Sequence, residues 1–310
     1  MSQLLAKRSS VNNVKFDSAK MKKKSLRPGY LLGYLLVAPP VLLMVLLIFY
    51  PAAQSMVRTM FVTAEDSGVY NFSLVRYTDF FNNRILLWNL WFTVWVTLVT
   101  VAGLFIICLP LALYLRFSNS RIAAAVQVLA LFPLFVPGII LAFALIRFLG
   151  PHGTLDTLLQ AVGFTGYRTP YLKPSGIIFA LIWEGIPFTI LVLTAGLRQV
   201  DNALIESARD VGAGDWQIFT RILLPLLQRS LLIAFCLNFI GVFGSYTIPY
   251  LLGPAAPQMM GVSMQQTYSE YQDKLGAETQ AVLTFFCCAL VGVLYVRTVV
   301  RARIGERAEG

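Results

Sequence analysis

The sequence predicts an all-α, polytopic membrane protein, with six transmembrane helices and a helical hairpin on the cytoplasmic side. Two observations carry this class. Apolar residues make up 57% of the 310 and charged residues 13%, with a mean hydropathy of +0.69, whereas soluble domains are about 25% charged. Six apolar runs reach the ~20 residues needed to span a hydrocarbon core, at roughly 31–57, 88–115, 122–146, 175–197, 230–252 and 279–299. A closed barrel is the only other spanning solution, and its short alternating segments are absent.

Taken in order, residues 1–29 form a basic tail holding eight of the 25 Lys and Arg residues, with Lys20, Lys22, Lys23 and Lys24 close before the first run. That run contains Pro39, Pro40 and Pro51 and is too long for a cleaved signal, so it reads as a retained anchor. With the amino terminus inside, eighteen of the 25 basic residues are cytoplasmic and seven external. The positive-inside rule then places both termini and the segment 197–226 in the cytoplasm. It also accounts for the net charge of +10 without nucleic acid.

An external loop follows, from about Arg58 to Leu87, too short for a domain of its own. Trp88, Trp91 and Trp95 at the start of the second run read as interface anchors. The third run carries Pro133 and Pro137-Gly138. Beyond it lies an external stretch, Gly150 to Pro174, rich in turn formers, with a short helix predicted over Leu155 to Val162.

The fourth run contains Glu184, within Trp183-Glu184-Gly185-Ile186-Pro187-Phe188. A carboxylate at that depth costs on the order of 3 kcal/mol, so it faces the bundle or a wet cavity. Beside Trp183 it can serve as a counter-charge to a cationic solute. It can equally be protonated, or bonded to a neighbouring helix.

Between the fourth and fifth runs lies Leu197 to Leu226, reading LRQVDNALIESARDVGAGDWQIFTRILLPL. A tight link needs only a few residues; this one is long, charged and amphipathic, as a docking surface would be. Asp201 or Asn202 can cap a helix running to about Val211, with Glu206 near its start and Arg209 further along. Gly212 and Gly214 permit a reversal, and a second helix from Asp215 runs towards Pro225. From physics alone the segment can also be an interfacial amphipathic helix.

In the fifth run Asn238, Ser245 and Tyr246 can line a cavity or bond neighbouring helices, near Gly241 and Gly244. The last external stretch, Gly253 to Ala277, is either a solvated connection or a receiving surface. After the sixth run, 304–310 is a short cytoplasmic tail. The membrane domain thus covers 30–303.

No phosphate loop, nucleophile elbow or histidine-centred triad is present, so the chain carries no ATPase and reads as no enzyme. Cys108, Cys236, Cys287 and Cys288 lie inside runs and His152 is the only histidine, so no metal site is expected. No internal repeat is visible, as expected if the second half of a symmetric transporter is another chain.

Glu206-Ser207-Ala208, Gly212 six residues after the glutamate, Phe219, and Leu224-Pro225 together resemble the EAA loop of inner-membrane permease subunits of ATP-binding-cassette importers. Ser207 departs from the usual alanine but is small enough for close packing. The resemblance covers roughly Tyr34 to Arg297, including Tyr50-Pro51-Ala52 and Phe72-Ser73-Leu74-Val75-Arg76-Tyr77. It is strongest to the spermidine/putrescine-type group.

It implies that the hairpin is a pair of coupling helices on a cytoplasmic ATPase dimer. Glu206 would contact that ATPase, Gly212 would admit the turn to its cleft, and Ala208, Ala213 and Phe219 would pack there. ATP and Mg would be bound by the ATPase, not by this chain. The other implied partners are a second, homologous permease, an extracytoplasmic solute-binding protein and membrane lipid, in a bacterial inner membrane. Alternating access would carry a small polar solute, polyamines first and amino-acid derivatives, iron complexes or phosphonates behind them. The competing class is a stand-alone secondary transporter or channel.

Overall fold

The computed structural model describes residues 28–63, 70–118 and 120–308; most of the basic tail, 1–27, lies outside them. The described residues divide after Gln54. The first part holds α1 (Pro28–Met44), a π-helical turn (Val45–Phe49) and the start of α2 (Tyr50–Thr59). Its side chains from Gly33 to Tyr50 are exposed.

The second part runs from the rest of α2 through a two-stranded antiparallel pair, β1 (Phe61–Thr63) and β2 (Tyr70–Phe72), in register Phe61 to Phe72. This pair is the only sheet among the described residues and does not alter the all-α class. Then come α3 (Val75–Asn82), α4 (Arg84–Phe117), α5 (Arg121–Leu131), a 3-10 turn (Phe132–Phe135), α6 (Gly138–Leu149), α7 (Thr154–Ala161) and α8 (Pro174–Arg198). The chain continues with α9 (Asn202–Asp210), α10 (Asp215–Ile218), a second π-helical turn (Phe219–Leu223), α11 (Leu224–Phe243), α12 (Thr247–Leu252), α13 (Met260–Ser269) and α14 (Lys274–Ala308). α14 therefore continues through most of the segment read as a C-terminal tail.

Six helical stretches among the described residues are long and apolar enough to cross a membrane: 33–59, 84–117, 138–161, 174–198, 215–243 and 274–297. Two differ from the sequence expectation. The third run, expected as one span over 122–146, is broken between α5 and α6. Pro137 has no N–H to donate and its ring disfavours helical backbone at the residue before it. Val136 is accordingly extended, at φ −105° and ψ 112°. The fifth span begins at Asp215 and ends at Phe243, so Ser245 and Tyr246 fall beyond it.

Both π-helical turns stand one residue before a proline. Tyr50 N–H donates to Val45 O ahead of Pro51, and Leu224 N–H donates to Phe219 O ahead of Pro225. A proline leaves one carbonyl of the preceding turn without its donor, and a local i to i−5 step absorbs the mismatch.

In the second part α8 packs against both α4 and α11, and α14 packs against α11 and α13. Lipid offers no hydrophobic drive between helices, so close approach at small residues carries the packing. A Cβ at Gly196 would lie 2.7 Å from Ser230 Cβ, so glycine sets the α8 to α11 distance there. One apolar cluster joins α4, α6, α8 and α12 around Val96, Ala142, Ala180 and Leu252. A second, around Leu104, Cys108, Leu193 and Leu227, takes in Ile205, Ile218 and Leu223 of the hairpin region.

Within Gly253 to Ala277 the part from Gln258 to Thr267 is packed against the bundle, while Tyr268 to Lys274 is solvated. Buried Asn89 of α4 accepts from Gln258 N–H at 2.9 Å and donates to Ser263 Oγ at 3.3 Å; Thr93 Oγ1 accepts from Met260 N–H at 2.8 Å. Gln280 of α14 closes the network through Ser263 and Thr267. Asn89, Thr93, Ser263, Thr267 and Gln280 are thereby all hydrogen-bonded, as buried polar groups in a dry site require.

Candidate functional site: the hairpin and a membrane cleft

The hairpin forms for local reasons. Asp201 is the N-cap of α9, its carboxylate accepting from Ala203 N–H at 3.0 Å. At the other end Gly212 has φ +86°, a left-handed angle that glycine adopts at little cost. Gly212 N–H donates to Arg209 O and Ala213 N–H to Ala208 O, both at 2.9 Å. These are the two bonds of a Schellman cap.

Gly214, by contrast, has an ordinary φ of −72°. Its N–H is taken by Gln217 Oε1 at 3.2 Å, which starts α10. Arg209 pairs with Asp215 at 3.2 Å across the two arms. The second arm does not end near Pro225 as a separate short helix. It runs through the π-helical turn into α11, so only the α9 arm is a freestanding short helix.

The side chains of the hairpin sort into exposed and half-buried sets. Glu206, Ser207 and Gly212 are exposed, and so is Pro225; Ser207 Oγ is occupied by a bond to Ala203 O. Ala208, Ala213 and Phe219 are half-buried against this chain's own second cluster, and Phe219 also lines an open cavity beside Trp216. The most exposed apolar groups of α9, its turn and α10 are Leu204, Val211 at 85% exposure and Trp216 at 74%, the last with its ring 5.6 Å from that of Phe219 between centroids. Those three residues mark the outward face, which the residue types alone did not single out.

Within the membrane region, a cleft of about 380 Å³ lies between α8 and α11, lined by Leu181, Glu184, Gly185 and Phe188 on one side and Leu237, Asn238, Gly241 and Val242 on the other. Glu184 and Asn238, predicted separately, thus meet. Glu184 is exposed to the cleft and accepts no hydrogen bond from a described residue. Its Oε1 lies over the start of α6, 3.2 Å from where a Cβ at Gly138 would stand. Asn238 is buried and donates to Thr189 Oγ1 at 3.0 Å and to Ala234 O at 2.8 Å, which ties α11 to α8.

Trp183 and Tyr246 do not join them. Trp183 turns away to an edge-on contact with Phe132, at 6.5 Å between centroids. Tyr246 stacks on Tyr250 beyond the end of α11, at 5.3 Å. Among the described residues, no cluster of three potential metal ligands is present.

The family model for the binding-protein-dependent transport system inner membrane component matches residues 106–304. The chain is 28% identical over 281 residues to the sulfoquinovosyl glycerol transport system permease protein SmoG of Agrobacterium fabrum, covering 87% of this chain and 90% of that one. It is 28% identical over 243 residues to the spermidine/putrescine transport system permease protein PotB of Haemophilus influenzae, covering 76% and 83%. In fold it matches a chain of a bacterial alginate ABC transporter solved in complex with an alginate pentasaccharide-bound periplasmic protein, with a TM-score of 0.71, 17% identity and coverage of 87% and 93%. The match spans the hairpin, the cleft and four of the six spans, and this chain belongs to the family of inner-membrane permease components of binding-protein-dependent, ATP-binding-cassette importers.

Proposed function

We propose that this chain forms half of the translocation pathway for a small cationic solute, a polyamine being the first candidate. A second, homologous permease would supply the other half. The observation that carries the choice of charge is Glu184. It is a carboxylate within a membrane span, open to a cleft and without a hydrogen-bond donor in the described chain. An uncompensated carboxylate at that depth costs on the order of 3 kcal/mol, which a passing cation offsets. The relatives do not select the solute, because two of equal identity are named for sulfoquinovosyl glycerol and for spermidine and putrescine.

On this reading the exposed face of Glu206, Val211 and Trp216 sits on a cytoplasmic ATPase dimer, which binds ATP and Mg. Both termini are cytoplasmic, and a loaded solute-binding protein docks at the opposite end of the bundle. Closure of the ATPases moves the hairpin, and the helices rock about the cleft. The test is uptake by the complex reconstituted with its partners, comparing labelled putrescine and spermidine with a neutral sugar conjugate. Glu184→Gln should depress uptake of the cations and leave assembly and ATP hydrolysis intact. Unchanged cation uptake in that variant would sink the assignment.

A further inference from the structure

The hairpin is joined by backbone to two of the helices around it. α8 leads into it through Gln199 to Asp201, and α10 is continuous with α11. α4, which packs along α8, has no such link. Its apolar side chains Leu104, Cys108 and Ala112 share a cluster with Ile205, Ile218 and Leu223, but the hydrophobic drive behind that contact is non-directional.

Arg116, in the last turn of α4, supplies the directional link. Its Nε donates to Leu197 O at 3.2 Å, and its Nη2 donates to Val200 O at 3.3 Å and to Asn202 Oδ1 at 2.6 Å. Leu197 belongs to the last turn of α8, where its carbonyl also accepts from Val200 N–H at 3.3 Å, and Val200 lies just beyond; a cation at this helix end is favoured by the dipole. Asn202 is the first residue of α9. One side chain therefore holds the end of α4, the end of α8 and the start of the hairpin at a single point. A guanidinium has a rigid fork of five donors for this, whereas an ammonium is a single point of charge.

We propose that Arg116 is a positioning residue that makes α4 move with the hairpin, so that displacement of the hairpin reaches α4 together with α8 and α11. This rests on the reading that the hairpin is the ATPase contact. Without the link, α8 and α11 would still follow the hairpin through the backbone, while α4 would slip against it.

The experiment uses the complex purified with its ATPase, in a parent whose four native cysteines have been replaced. Spin labels at Ser118→Cys, at the end of α4, and Asp210→Cys, at the end of α9, report one distance in the nucleotide-free and the ATP-vanadate-trapped states. With Arg116 present, that distance is expected to stay the same in both states. With Arg116→Met it should differ between them by on the order of 1–2 Å or more, the scale of helix shifts in switching proteins, while the ATPase remains bound and active. Arg116→Lys should give an intermediate shift.

Asn202→Ala removes one acceptor and leaves the α8 contacts, so it should show a smaller shift of the same kind; it decides the matter if Arg116→Met fails to assemble. A fixed distance in the substituted complexes would overturn the role of Arg116 alone. Failure of the unsubstituted chain to bring down an ATPase would overturn the functional reading, and this role with it.

Discussion

Replacing Gly212 with alanine isolates the backbone requirement of the hairpin. A Cβ at Gly212 would meet nothing within 4 Å, so no steric clash contributes. Only the left-handed angle of +86° is at stake, and it costs an L-residue about 1–2 kcal/mol. Gly214 is the internal control: it is two residues away, equally exposed, equally free of neighbours, but at φ −72°. A penalty of that size raises the population of the opened turn roughly 5- to 30-fold. The amides of residues 212 and 213, which close the cap onto Arg209 O and Ala208 O, report that opening by hydrogen exchange. Exchange at both should accelerate by that factor in Gly212→Ala and stay unchanged in Gly214→Ala. Equal acceleration in the two variants, or none in either, would refute the argument that the left-handed residue sets the turn.

Three further outcomes follow from the placement of side chains. Trp216→Ala removes an exposed ring, so it should leave the thermal unfolding midpoint in place and reduce the ATPase recovered with the tagged chain. Phe219→Ala should do the reverse, lowering the midpoint through a stability loss smaller than the ~3–5 kcal/mol of a fully buried phenylalanine, because Phe219 is only half-buried. Gly196→Val brings a Cβ to 2.7 Å from Ser230 Cβ and should abolish monodisperse protein by forcing α8 from α11, whereas Gly241→Val, with nothing within 4 Å, should fold and narrow the cleft.

What the sequence disclosed and what it hid divide along a physical line. Signals that act through the local backbone were legible: the Asp201 cap, the Gly212 turn and the α7 helix over most of Leu155 to Val162 all formed where chain chemistry places them. The break at Val136 was written in Pro137, but a long apolar run outweighed it. Helix orientation was not legible. In a membrane chain the core-facing and lipid-facing sides are both apolar, so amphipathic pattern does not sort them. In the hairpin, residue types alone likewise did not say that Phe219 would be half-buried and Trp216 exposed. Trp183 and Glu184 are separated by the ~100° between successive helical residues, which is why only the second reaches the cleft.

The interruption between α5 and α6 also constrains where lipid can lie. The first amides of α6 have no carbonyl of their own helix to bond, and Val136 interrupts the ladder just before them. Exposed irregular backbone is not tolerated in hydrocarbon, where each unmet group costs several kcal/mol. The flank of this subunit on which α6 begins, with the Glu184 carboxylate across it, must therefore be wetted or covered by protein. Acyl chains are left to the flanks where helices run unbroken, a geography dictated by main-chain bookkeeping before any side chain is considered.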